Sequence, residues 1–228
     1  MFQRMKFAAL ERRLTRTYKD RLATLGAVPK GVFWRNQSTQ TARFDALLSI
    51  VRKISPVAHP AVADIGCGYG ALYKFIQKTP RYQTMRYSGY DINAAMISAC
   101  ADQFADQKDL FAVGKYPSGA VDFCLFSGTF NLCHTDDYEL WEDYILHQLA
   151  FSWARVRYGL ILNITSLETA KINNHIFYVN PEAFAKKLAS RFGAVSASPT
   201  QFVPQDTTFI ICKEKHERHT TKLRKAQR

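Results

Sequence analysis

The chain lacks a long apolar run, a CxxC pair and an even supply of acid. No stretch of about 18 apolar residues occurs in its 228 positions, so stable insertion into a membrane through a spanning helix is not expected. The opening Met-Phe-Gln-Arg-Met-Lys has no sustained apolar segment followed by a small-residue cleavage site, and the expected compartment is the cytoplasm. Cysteine is sparse and odd in number. Cys67, Cys100, Cys124, Cys133 and Cys212 have no zinc-type spacing and mostly sit among apolar neighbours, where a thiol behaves as a small hydrophobe; neither a disulfide framework nor a metal site is expected. No internal repeat or low-complexity segment is evident. Nineteen acids against 31 lysines and arginines leave a net charge of +12, concentrated between Arg4 and Arg21 and between Lys213 and Arg228. Such charge draws nucleic acid, acidic lipid or acidic protein over a Debye length, which biases partners without defining a function.

What remains is the composition of a globular protein, 47% hydrophobic and 22% charged. At this length one compact domain can bury a core without disulfides or metal. Phe7, Leu10, Leu14, Tyr18, Leu22 and Leu25 recur at helical steps, with Arg12, Arg13, Arg16, Lys19 and Arg21 between them. This basic amphipathic helix is expected to dock on its own domain; an anionic surface or a second subunit, making an oligomer, are the alternatives. Pro29 and Gly31 end it. A second helix follows through Phe44, Leu47, Leu48, Val51 and Ile54.

From Ala61 onward strand and helix patterns alternate. Strands are expected near 61–64, 87–91, 110–113, 121–127 and 158–164, with helices near 71–78, 94–104, 138–152 and 181–191. That order implies parallel βαβ units and a doubly wound α/β fold. The last strand pair, near 194–198 and 207–213, has only a loop with Pro199 and Pro204 between its members, which requires an antiparallel hairpin at one sheet edge. The expected organisation is a basic helix and connector over 1–38, a main domain over 39–213, and a basic, disordered tail over 214–228.

The chemistry gathers at Asp64-Ile65-Gly66-Cys67-Gly68-Tyr69-Gly70. Glycines between a strand and a helix let backbone approach a ligand, with the helix N-terminus aimed at it. The same stretch satisfies the loose dinucleotide fingerprint Gly66-x-Gly68-x-x-Ala71, so a nicotinamide dehydrogenase must be weighed. Asp91 lies 21 positions beyond the last loop glycine, at the end of strand two, where a carboxylate accepts both hydroxyls of a ribose. Ribose occurs in NAD and in S-adenosylmethionine alike. Asp64 decides between them: two residues before the first glycine, it would repel a pyrophosphate but suits the amino group and sulfonium of S-adenosylmethionine.

Residues 62–70, Val-Ala-Asp-Ile-Gly-Cys-Gly-Tyr-Gly, resemble motif I of the class I S-adenosylmethionine-dependent methyltransferases, and Gly89-Tyr90-Asp91-Ile92-Asn93 resembles their next motif. The resemblance covers roughly residues 40–213. It implies a Rossmann-like, seven-stranded, mostly parallel sheet with an antiparallel last strand, here with an N-terminal helical extension. It also implies that Asp64, Gly66 and Gly68 lie around the methionine part of the cofactor, that Asp91 holds ribose, and that Ile92 and Met96 flank adenine, with Cys67 and Ser127 also among the cofactor-binding residues. Many members have an acid after strand three that reaches the adenine amino group. This chain reads Ala112-Val113-Gly114-Lys115-Tyr116 instead, which leaves backbone near Gly114 and Lys115 for that task.

After strand four comes Ser127-Gly128-Thr129-Phe130-Asn131-Leu132-Cys133-His134, without the Asn-Pro-Pro-aromatic run of many base methyltransferases. It is closer to a bacterial small-molecule subgroup with Ser-Gly-x-Phe-Asn at this place, a Gln-x-x-Arg-Phe segment (Gln40 to Phe44) and a Tyr-x-x-Pro segment (Tyr178 to Pro181). Arg43 is then either a two-point ligand for the cofactor's carboxylate or a surface arginine. Asn131, His134 and His175 are candidate catalytic residues, His134 because it lies on the loop after strand four and an imidazole ordinarily titrates near neutrality, His175 because it stands ahead of Phe177-Tyr178, although a lone histidine is commonly structural. Trp34, Tyr69, Phe130 and Tyr178 are candidates for the acceptor pocket, where a cationic amine can rest on their faces. The expected reaction is methyl transfer to nitrogen or oxygen of a small molecule. A methyltransferase of RNA or another macromolecule recruited by the basic ends, and a non-catalytic cofactor-binding subunit, are the alternatives.

Overall fold

The computed structural model describes residues 2–213, and the expected tail over 214–228 lies outside them. A 24-residue helix, α1 (Phe2–Leu25), leads through a short 3-10 turn (Pro29–Val32) to α2 (Gln37–Ile54). The alternating part follows: β1 (Ala61–Ile65), α3 (Ala71–Lys78), β2 (Arg86–Asp91), α4 (Ala94–Gln103), β3 (Phe111–Val113), β4 (Val121–Ser127), α5 (Tyr138–Trp153) and β5 (Val156–Thr165). A small hairpin, β6 (Lys171–Asn173) and β7 (Ile176–Tyr178), precedes α6 (Pro181–Phe192), β8 (Val195–Pro199) and β9 (Asp206–Cys212).

Helix starts follow local chemistry. Asn36, Asn93, Asp137 and Asn180 each place a side-chain oxygen on a backbone N–H of the first turn, and Pro181 opens α6. Each such cap is worth about 1 kcal/mol. The strand order in the main sheet is β3-β2-β1-β4-β5-β9-β8. β9 pairs antiparallel with both β5 and β8, so it alone is reversed in this sheet. The reversed strand slots in beside β5 and leaves β8 at the edge, because the short connection through Pro199 and Pro204 can make only a hairpin.

Buried residues alternate between the two sheet faces, as period-two strands require. Ala63, Phe126, Leu160, Leu162 and Phe209 pack with α1, α5 and α6; Val62, Phe123, Leu125 and Ile161 pack with α2 and α3. Asp122, buried at the start of β4, accepts from Ala61 N–H at 2.7 Å and from the Arg157 guanidinium at 3.2 Å, tying β1 and β5 to the strand between them.

α1 belongs to the first of these layers. Phe7, Leu10 and Leu14 are buried in it, each contributing about 2 kcal/mol relative to exposure. Tyr18 packs against the same core. Over Phe7, Leu10 and Leu14 the apolar stripe is covered by the chain's own domain, while Leu25 at its end is exposed and Arg12, Arg13, Arg16 and Lys19 face outward. No helix of the described residues is long and apolar enough to cross a membrane.

The β6–β7 hairpin is an addition to the expected elements. Its turn residues Asn174 and His175 both have positive φ, 49° and 60°, the backbone of a primed two-residue hairpin turn. Asn-His carries that turn more weakly than Asn-Gly would, which hides it in the sequence. The hairpin is pinned to the segment after β4: Cys133 N–H donates to the His175 carbonyl and Phe177 N–H to the Asn131 carbonyl, each at 2.8 Å.

Candidate active site

A cavity of about 500 Å³ opens over the C-terminal ends of β1, β2 and β4, within the range of small-molecule sites and where open parallel sheets hold ligands. Its floor is the glycine loop. Gly66 and Cys67 N–H both donate to the Tyr90 carbonyl, at 2.7 and 3.1 Å, which fastens the loop to the end of β2. Gly66 has φ +78°, and a Cβ there would stand 2.5 Å from Thr129 Cγ2, so the loop closes against the segment after β4 only because this residue has no side chain.

Asp91 organises the next part. Its Oδ2 accepts from Gly68 N–H at 2.9 Å and its Oδ1 from Asn93 N–H at 2.8 Å. A carboxylate oxygen has two acceptor sites, so each retains capacity for a ligand hydroxyl. Burial raises this carboxyl above its ordinary value, against the two backbone donors that lower it. Asp64 is deeper, 2% exposed, and accepts from Tyr87 Oη at 2.9 Å. Burial pushes its carboxyl up to about 7; the Tyr87 bond opposes the rise and the charge of Asp91 adds to it. Two carboxylates so disposed make a pocket suited to a cation beside a ribose.

α1 roofs this end of the cavity, a contribution that the amphipathic pattern does not reveal because a stripe of apolar residues does not name its partner. Leu14, Thr15 and Tyr18 line it, Thr15 accepting from Asn93 Nδ2 at 3.1 Å through its carbonyl. Tyr18 is raised by burial and then by the Asp91 charge. Glu11 links the roof to the walls, holding Lys115 Nζ at 2.6 Å and Tyr144 Oη at 3.3 Å.

The other end is built by the segment after β4, the β6–β7 hairpin and the start of α2. Trp34, Tyr69, Phe130 and Tyr178 all line it. Arg43 also lines the cavity, but its guanidinium is engaged twice: it forks onto Asp206, with Nη2 to Oδ1 at 2.7 Å, and lies 4.4 Å from the centre of the Trp34 ring. The two-point geometry offered for a cofactor carboxylate is taken by Asp206, so Arg43 acts here by holding the Trp34 wall. Tyr69 donates to Gln40 Oε1 at 3.2 Å. Asn131 Oδ1 accepts from Thr165 N–H at 3.2 Å, and Asn163 Oδ1 from Gly128 N–H at 2.8 Å, two amides that set the turn after β4 without having been singled out by any motif in the case of Asn163.

Every residue expected at the site lines this cavity except the two histidines. His134 and His175 face each other, ring centres 5.3 Å apart, outside it. His134 instead borders a shallow recess with Arg12, Arg13 and Arg16 of α1, and Arg13 donates to its carbonyl at 3.2 Å. Burial first, then His175 and Arg13, lower its pKa. His175 is there as a turn residue. Their sequence positions, after β4 and before an aromatic pair, are close to the site; the chain direction carries the rings away from it.

The polar inventory of the wall fits a nucleoside cofactor. Ser127 Oγ and Gln148 Oε1 are buried without a hydrogen-bond partner on a wall that also carries Asp91 and Asp64, and buried polar atoms of this kind call for a ligand or water. The sheet order, the glycine loop and the carboxylate ending β2 define a class I, Rossmann-like, S-adenosylmethionine-dependent methyltransferase. Residues 63–143 match the family model described as a methyltransferase domain. The chain is 28% identical over 156 residues, 67% of its own length and 93% of the other, to the Mycobacterium tuberculosis protein named "Putative methyltransferase Rv1506c". Its fold is similar to that of a SAM-dependent methyltransferase of Leishmania major (TM-score 0.62, 11% identity, 87% and 82% of the two chains). It is also similar to the plantazolicin methyltransferase BpumL (TM-score 0.55, 14% identity, 92% and 99%) and to magnesium protoporphyrin IX methyltransferase of Synechocystis solved with bound SAM (TM-score 0.52, 16% identity, 78% and 80%).

Proposed function

We propose that the chain moves the methyl group of S-adenosylmethionine to a nitrogen or oxygen of a small acceptor with a flat, largely apolar body. The observation that carries this reading is the continuity of one cavity from Asp91 to Tyr178, with carboxylates at one end and aromatic rings at the other. Asp91 receives the ribose, Asp64 faces the amino group and sulfonium, and Gly66 and Gly68 let the methionine part lie on backbone. Ser127 Oγ is available to the same part. Trp34, Phe130 and Tyr178 sandwich the acceptor, with Tyr69 at its edge.

When bound, the cofactor supplies an electrophilic methyl on a sulfonium, and transfer needs an acceptor lone pair in line behind it. The protein's part is alignment and exclusion of water, which can supply much of the acceleration. Among the described residues lining the cavity there is no histidine, and the only carboxylates are Asp64 and Asp91. An acceptor that arrives with its lone pair free, an amine or an easily ionised hydroxyl, fits such a wall; one that must first lose a tightly held proton does not. Asn131 braces the turn that carries Phe130 and serves positioning.

The plantazolicin methyltransferase of similar fold was solved with a pentazolic desmethyl analogue and SAH together, which accords with a compound-sized acceptor. The test is a screen with labelled S-adenosylmethionine against metabolite and RNA fractions. Label in a small-molecule fraction supports the proposal, and label carried only by RNA or protein replaces it with the macromolecular reading.

A further inference from the structure

We propose that Gln148, in the middle of α5, reads the adenine of the cofactor by accepting from its 6-amino group. The inference rests on the S-adenosylmethionine reading above and assigns a binding residue to it. The chain needs one, because the segment after β3 carries no acid: Val113, Gly114 and Lys115 stand where a carboxylate would meet the amine.

Gln148 is 5% exposed, its Oε1 is buried with no partner, and it lines the same cavity as Asp91, Met96 and Gly114. A buried amide oxygen left unpaired is costly, and among the unpartnered buried atoms Gln148 Oε1 and Ser127 Oγ are the two whose residues line this cavity.

Its place along the cavity follows from its neighbours. Tyr144, Gln148 and Phe151 recur at steps of four and three and so share one face of α5. Tyr144 bonds Glu11, which also holds Lys115; Phe151 stacks on Tyr116 with ring centres 5.1 Å apart. The face that carries Gln148 is thus fastened on both sides to the segment after β3. A planar base extending from a ribose on Asp91 arrives between Met96, Ile92 and this amide. An amide sets an acceptor beside a donor, the pattern by which glutamine pairs with adenine in two-point recognition.

The test is a binding cycle read by calorimetry on the full chain, with S-adenosylhomocysteine and its 6-deamino purine analogue as probes. Hypoxanthine is avoided because a rotated amide pairs with its 6-oxo edge as well. The wild-type protein is expected to bind the deamino analogue about tenfold more weakly, the worth of one hydrogen bond in a buried site. In Gln148→Leu, and in Gln148→Met should leucine fail to fold, S-adenosylhomocysteine is expected to weaken by a similar factor and the preference to fall to within about twofold. A wild-type protein that binds both probes equally, or a folded Gln148 variant that keeps the full preference, overturns the assignment. Absence of any S-adenosylhomocysteine binding by the wild type would instead remove the cofactor reading beneath it.

Discussion

Asp91 fastens the glycine loop with both of its oxygens, through bonds from Gly68 and Asn93 N–H, and the proposed ribose contact uses the acceptor sites that remain. Hydrogen bonds to a charged group are worth about 1.5–3 kcal/mol, so Asp91→Ala is expected to weaken S-adenosylhomocysteine binding by roughly 10- to 100-fold in calorimetry; an unchanged affinity would remove the ribose role. Asp64 brings a pH dependence. With its carboxyl raised to about 7, it is mostly protonated at pH 6 and mostly ionised at pH 8, and a cationic ligand favours the ionised form. Affinity for S-adenosylmethionine should therefore rise from pH 6 to pH 8, and Asp64→Asn should flatten that rise. In the free protein the sign is opposite for stability: the folded state holds this proton longer than the unfolded chain, so its contribution is full below about 4 and is lost as pH rises through about 7. A titration in which the variant keeps the wild-type slope would place the pH dependence elsewhere.

At the scale of elements, most of the sheet was legible because strands buried on both faces read as apolar runs and the helices between them have the right length. The strand bounds near 121–127 and the terminal hairpin agree with β4 and with β8–β9. The motif residues were legible for a further reason: glycines and carboxylates at strand ends have few structural excuses. The β6–β7 hairpin was not, since its two strands are three residues each and its turn is Asn-His. That omission made His175 look available for chemistry. With both histidines outside the cavity, His134→Asn and His175→Asn are each expected to keep kcat within about threefold of the wild type; a loss above a hundredfold, near the worth of a general base, would contradict the geometry. The role of α1 was half legible, its stripe being visible and its target not. Leu10 is 3% exposed in the core, and Leu10→Ala is expected to cost about 2–5 kcal/mol in denaturant unfolding. A cost below about 0.5 kcal/mol, the value for a surface substitution, would make the helix a loosely held appendage.

For the whole molecule, the net charge of +12 and the site point in different directions. The charge favours anionic partners, and the outward arginines of α1 present part of it; the end of the cavity proposed for the acceptor is lined by rings. If a small apolar acceptor is the substrate, KM for that acceptor should change little between 50 and 200 mM salt. A phosphate-bound polymer would lose affinity by orders of magnitude over the same range. Gln148, Asn163 and the roof of α1 show what motifs leave unread: they border the cavity, or set the turn beside it, from a helix core, a strand interior and a distant segment, where no spacing announces them. The donor end is set by the loop from Asp64 to Gly70 and by Asp91, and it carries the central claim. Calorimetric titration of the full chain with S-adenosylmethionine, and separately with NAD, tests it most directly. One molecule of S-adenosylmethionine bound per chain with no heat from NAD is the predicted result; no S-adenosylmethionine binding, or preferential binding of NAD, would contradict it.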